Sequence, residues 1–208
     1  MTAVALSRPQ LLRRGLRLEY LTVGWNILEG VVAIGAGLAA GSIALIGFGV
    51  DSFVETISGA VLIWRLGSEA RGRLDEEAVD RVEHRAERLV GAAFLLLAAY
   101  VAFEAVRALV NGEAPSASPI GIALTAVSIA VMLWLARQKR QTGEALRSRA
   151  LIADSHQTYA CWYLSMVALV GLAANALFGM WWADPVAALG IVALLVKEGV
   201  EAIRGEEG

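Results

Sequence analysis

Six long stretches of this chain hold almost no charge, and the arginines gather between them. A helix crossing a bilayer needs about 20 mostly apolar residues, because the hydrocarbon core is about 30 Å thick and each helical residue rises about 1.5 Å. The pattern predicts spans over residues 21–41, 42–64, 89–109, 119–135, 151–177 and 185–203. Composition agrees: 57% of the 208 residues are hydrophobic and 18% are charged, greasier than a soluble domain of this length. Strands are a poor alternative, because lipid demands that every backbone group be satisfied and no alternating barrel pattern is present. The expected fold is an all-α integral membrane protein with six transmembrane helices.

Basic residues give the orientation. They lie at Arg8, Arg13, Arg14 and Arg17, in segments 65–88 and 137–149, and at Lys197 and Arg204. The other connections nearly lack them, Arg107 being the exception. Lys and Arg collect on the cytoplasmic side of membrane proteins. Both termini are therefore expected in the cytoplasm of a multi-pass protein of the cell membrane. Residues 1–20 read as a cytoplasmic N-terminal tail and 21–205 as the membrane domain, with no C-terminal cytoplasmic domain after it. The polar, basic start does not read as a cleaved signal peptide. Trp181 and Trp182 fall between the last two spans, where an outer aromatic belt would lie. Segment 67–88 mixes both signs of charge and reads as helical extensions, with i,i+4 pairs such as Glu77 and Arg81. One cysteine, Cys161, excludes an internal disulfide, and no basic run suggests a nucleic-acid partner. Glycines 30, 37, 41, 47, 49 and 59 permit close helix approach in the first two spans.

Ionisable groups at mid-bilayer are costly and point to function by default. Three acids fall there: Glu29, Asp51 and Glu55. Asp51 and Glu55 are one helical turn apart and project from one face. Two carboxylates so close repel each other unless a cation lies between them. Zinc and harder cations accept carboxylate oxygen, and a proton can take the metal's place. Gln157 and Cys161 on the fifth span have the same spacing. At about 1.5 Å per residue, Asp51 matches Cys161 in depth and Glu55 matches Gln157. Glu29, with Asn26 beside it, reads as an auxiliary ligand, a proton carrier or a hydrogen-bonding partner. Asp154 reads as an access residue near the cytoplasmic end. His156 lies about 100° around the helix from Gln157 and is a weaker ligand candidate. Asp184 precedes Pro185 and reads either as the cap of the last helix or as a supporting acid.

The stretch GSIALIGFGVDSFVETISG (residues 41–59) resembles the second helix of the cation diffusion facilitator (cation efflux) family, in which two ligands stand in a D-x-x-x-D or H-x-x-x-D arrangement. Asp51 and Glu55 occupy those positions. The fifth helix of that family carries H-x-x-x-D after an Ala-Asp pair; Ala153 and Asp154 match the lead-in, and Gln157 and Cys161 stand at the ligand positions. Ala183-Asp184-Pro185 followed by AALGI is also similar to the family's sixth helix. The resemblance implies a secondary exporter of a divalent metal cation in exchange for protons, working by alternating access. Its ligands would be Asp51, Glu55, Gln157 and Cys161. Zinc is the first expectation, with Mn, Fe, Co, Cd or Cu also admitted. The amide and thiol remove a carboxylate and add a softer ligand, which suits zinc or copper better than magnesium. A dimer would have to form through membrane helices.

Two rival readings stay open. One is a proton-coupled exporter of small organic cations, using Glu29, Asp51 and Glu55 with aromatics such as Trp25 and Phe53. The other is a membrane metal-binding protein that does not transport. An enzyme is not expected, because no nucleophile–base pair is visible and His84 and His156 lack evident partners.

Overall fold

The structure is a computed structural model that describes residues 7–71 and 76–204, with the side chains of 76–87 and 90 left undescribed. The Glu77–Arg81 pairing and His84 lie outside the described side chains. Among the described residues, all regular structure is α-helical: α1 (Arg8–Ala40), α2 (Ile43–Ala70), α3 (Glu76–Asn111), α4 (Pro119–Leu146), α5 (Arg149–Phe178) and α6 (Ala183–Arg204). The protein is an all-α, multi-pass membrane protein. Helices α1 to α5 are long and apolar enough to cross a membrane on composition alone. With 22 residues, α6 reaches about 33 Å at about 1.5 Å per residue, which is enough to span. It differs in carrying Asp184 at one end and Lys197 and Glu198 toward the other.

Several helices outrun their apolar stretches. Helix α1 begins at Arg8 rather than at residue 21, and α4 continues to Leu146 rather than ending at 135. The flanks are rich in Arg, Lys, Gln and Leu, all good helix formers, so the backbone stays helical beyond the lipid. Apolar length measures the part inside hydrocarbon and not the whole helix. As expected, the mixed-charge connection is largely helical extension, since α2 runs to Ala70 and α3 starts at Glu76.

Serines stand at the N-cap of four helices, Ser7 of α1 among them. Ser42, Ser118 and Ser148 each accept a hydrogen bond from a backbone N–H one turn on, at Leu45, Gly121 and Leu151. The α1–α2 reversal needs Gly41, whose φ of 69° is left-handed and costs a Cβ-free residue nothing.

The helices pack as three close pairs, α1 with α2, α4 with α5, and α3 with α6; α2 touches α1, α3, α5 and α6 and so lies at the centre. Close approach depends on missing side chains. A Cβ on Gly49 would sit 2.8 Å from Ile34, and one on Gly91 would sit 2.8 Å from the Gly199 carbonyl. Large apolar residues such as Leu21, Leu28, Val31 and Leu38 of α1 face outward, as lipid allows. The interior is where polarity collects: Glu19, Thr22, Asn26 and Glu29 of α1, Asp51, Ser52 and Glu55 of α2, Thr125, Ser128, Lys139 and Thr142 of α4, and Asp154, Thr158 and Ser165 of α5 are all buried.

Candidate cation site

The i,i+4 spacing on α2 puts Asp51 and Glu55 on one buried face, 6% and 3% exposed. They line a cavity of about 10 Å³ together with Gln157, Ala160, Cys161 and Leu164 of α5, Phe94 of α3, and Leu194, Leu195 and Glu198 of α6. That volume is about the room needed by one water-sized occupant. The four residues paired from the sequence thus meet at one place. Among the described residues, no three His, Cys, Asp or Glu side chains converge tightly enough to form a ready-made metal cage. The carboxylates and the thiol border one space without closing on a common point.

Around the cavity the secondary candidates separate. Asn26 belongs to the site: its amide donates to Glu55 Oε2 at 2.9 Å. The other Glu55 oxygen, Oε1, and the Asn26 amide oxygen, Oδ1, are buried without a hydrogen-bond partner. Glu29 adjoins the site. It accepts from Trp25 Nε1 at 3.1 Å and from Ser52 Oγ at 2.9 Å, and the Cys161 thiol points at its Oε2 from 3.9 Å. A buried carboxylate is thereby held between α1, α2 and α5.

Three expectations need correction. Asp154 is not an open access residue: it is buried and ion-paired with Lys139. His156 is exposed and does not line the cavity, because it lies on the opposite side of α5 from Cys161. Asp184 does not cap its own helix. It lies inside the first turn of α6 and accepts from Ser42 Oγ at 2.5 Å, Ile43 N at 3.0 Å and Ala44 N at 3.4 Å. It therefore caps α2, bringing a carboxylate to that helix's positive end.

Two residues went unnoticed in the sequence. Glu198 lines the cavity from α6. Lys139 is fully buried, and its ammonium donates to Glu19 Oε2 at 3.1 Å, to Asp154, and to Thr158 Oγ1 at 3.3 Å. Three donors meet three acceptors on two other helices. Lys139 was hidden in the basic segment 137–149, which suggested a solvated connection. A signal was present: 125, 128, 132, 135, 139 and 142 form one buried stripe of α4 at alternating three- and four-residue steps.

The larger cavity lies at the other end, beside Asp184, and is lined by Glu104, Arg107 and Glu113 among others. Arg107, the one basic residue out of pattern, pairs there with Glu104 at 3.2 Å and Glu113 at 3.5 Å. The Asn111 amide and Arg107 hold the Glu113 carboxyl below its usual range.

The profile of the cation efflux transmembrane domain matches residues 21–205, nearly the whole chain. The chain belongs to the cation efflux family. Among curated relatives, it is 29% identical over 182 residues to an uncharacterized transporter of Methanocaldococcus jannaschii, covering 86% of this chain and 63% of that protein. It is 26% identical to an uncharacterized transporter of Synechocystis sp., covering 88% of this chain and 60% of that protein. It is 25% identical to the magnetosome protein MamB of Magnetospira sp., covering 88% of this chain and 61% of that protein. The chain thus spans about three fifths of the length of these curated relatives.

Proposed function

We propose that this protein exports a divalent metal cation of the zinc-like transition series from the cytoplasm in exchange for protons, by alternating access. The observation that carries the reading is the cavity itself. Two buried carboxylates, an amide and a thiol border a space of about single-ion size, and one Glu55 oxygen there has no hydrogen-bond partner. Membership of the cation efflux family supports the same class of cargo.

Asp51 and Glu55 supply the charge that a dehydrated cation needs, and Cys161 and Gln157 complete its surroundings. A thiol beside carboxylates favours Zn over Mg, with Mn, Fe, Co, Cd and Cu as further substrates. Loss of the cation leaves two adjacent carboxylates that protons can neutralise, which couples the two fluxes. The cavity is far below the hundreds of Å³ that an organic ligand occupies, and Phe94 is the only aromatic among its described lining residues. That favours a metal over an organic cation. Residues 1–20 and the Arg204 end are assigned to the cytoplasm by the basic residues gathered there. The cell membrane is the proposed location, a homodimer joined through membrane helices the proposed assembly, and a carrier rather than an enzyme the proposed class.

The test is zinc flux into proteoliposomes with an entrapped indicator. Asp51→Asn combined with Glu55→Gln should lower the flux at least ~100-fold, since two charge-assisted contacts to the cargo are lost. Unchanged flux in a folded double variant sinks the reading.

A further inference from the structure

We propose that Glu198 of α6 is the residue that captures the cation and passes it to Asp51 and Glu55, so that the cation reaches the site from the Arg204 end along α6. This rests on the carrier reading above and adds its access route.

Glu198 lines the same small cavity as Asp51 and Glu55, yet it is only half-buried where they are nearly sealed. It is therefore the most accessible of the three carboxylates in that cavity. Glu198 makes no hydrogen bond or ion pair with a described residue, while its neighbour Lys197 is exposed and pairs instead with Glu201 at 3.7 Å. Its carboxylate remains available to an incoming cation. The second observation lies deeper: Glu55 lines the cavity, and its Oε1 is buried without a donor. An oxygen left in that condition is costly unless a cation, proton or water visits it. Gly199 fixes the geometry, because it lets α6 approach α3 to backbone contact at Gly91.

The other approach from the same end is blocked twice. Leu12 of α1, Leu62 and Leu66 of α2, Leu146 of α4 and Leu151 of α5 form a separate buried apolar cluster. Beyond it, the Lys139 ammonium fills the space between Glu19 and Asp154. A divalent cation moving along that side would have to cross an apolar layer and then displace the Lys139 ammonium from the two carboxylates that hold it. The α6 side presents Glu198, whose carboxylate makes no ion pair with a described residue.

The experiment measures Zn²⁺ and Mn²⁺ flux in proteoliposomes holding the full chain. Glu198→Gln should raise KM about tenfold while kcat stays within about twofold, and Glu198→Asp should restore most of the loss; a tenfold KM change is the size expected for one charged contact. A merely structural role would lower kcat and unfolding temperature together, without rescue by Asp, and would overturn the proposal. So would an unchanged KM. If neither ion is carried by the unaltered protein, the carrier reading falls and this proposal with it. If Asp51→Asn abolishes flux but Glu198→Gln leaves KM alone, only the role of Glu198 falls. A second measurement does not depend on flux. Glu198→Cys should react with a cationic methanethiosulfonate reagent, against a background in which Cys161 is buried. Zn²⁺ should slow that reaction at least threefold, and no slowing would count against capture at this position.

Discussion

Lys139 shows how much one residue decides here. A lysine in the membrane interior is tolerated because Glu19 and Asp154 compensate its charge and Thr158 takes its third proton. Removing it leaves two buried carboxylates facing each other. Lys139→Met should therefore cost about 3–5 kcal/mol of stability, the usual penalty for breaking a buried pair from one side. Adding Glu19→Gln and Asp154→Asn should recover much of that loss, because the uncompensated charge is then gone. Thermal unfolding in detergent checks both steps, and equal stability of Lys139→Met and the unaltered protein would refute the account. The ligand candidates were far more legible than this lysine. Asp51 and Glu55 interrupt an apolar run and cannot be overlooked, and Gln157 and Cys161 repeat their spacing. Lys139 stands among arginines in sequence, and its partners are 120 and 15 residues away. Only packing reveals that it points inward.

At the scale of elements, the sequence located every helix but misjudged how some end. Apolar length found the spans, whereas helix propensity carried α1 and α4 well past them. Asp184 illustrates the difference between a local signal and its use. An Asp before a Pro reads as the cap of its own helix, yet α5–α6 packing places it against the start of α2. One carboxylate then satisfies two backbone donors and the Ser42 hydroxyl, and it ties the first turns of α2 and α6 together. Asp184→Ala should cost about 1–3 kcal/mol through the buried donors left unsatisfied. Asp184→Asn should cost less, since one acceptor oxygen survives. The two unfolding temperatures measure this directly, and an Ala variant as stable as the parent would remove the capping role.

At the scale of the molecule, a polar interior faces an apolar exterior. The outward face of α3 repeats large apolar residues every seventh position: Leu89, Leu96, Phe103 and Val110 are 71%, 74%, 64% and 79% exposed. A ridge with that period suits a second helix packed along it at a small crossing angle. The proposed homodimer is expected to pack across this ridge. Phe103→Cys should form a disulfide-linked dimer under mild oxidation in native membranes, since equivalent positions of two crossing ridges lie close together. Monomer alone under those conditions would assign the ridge to lipid.

What the sequence settled by itself was the membrane class, the helices and the pair on α2. Hydropathy and one-turn spacing are local, and lipid leaves few folds open to such a chain. What only the tertiary structure decided was which distant groups meet: Asn26 with Glu55, Glu198 beside both acids, Lys139 between Glu19 and Asp154, and Asp184 at the start of α2. The reason is physical. A buried charge is stable only with a partner, but the partner can come from any helix, and no spacing within one helix says which.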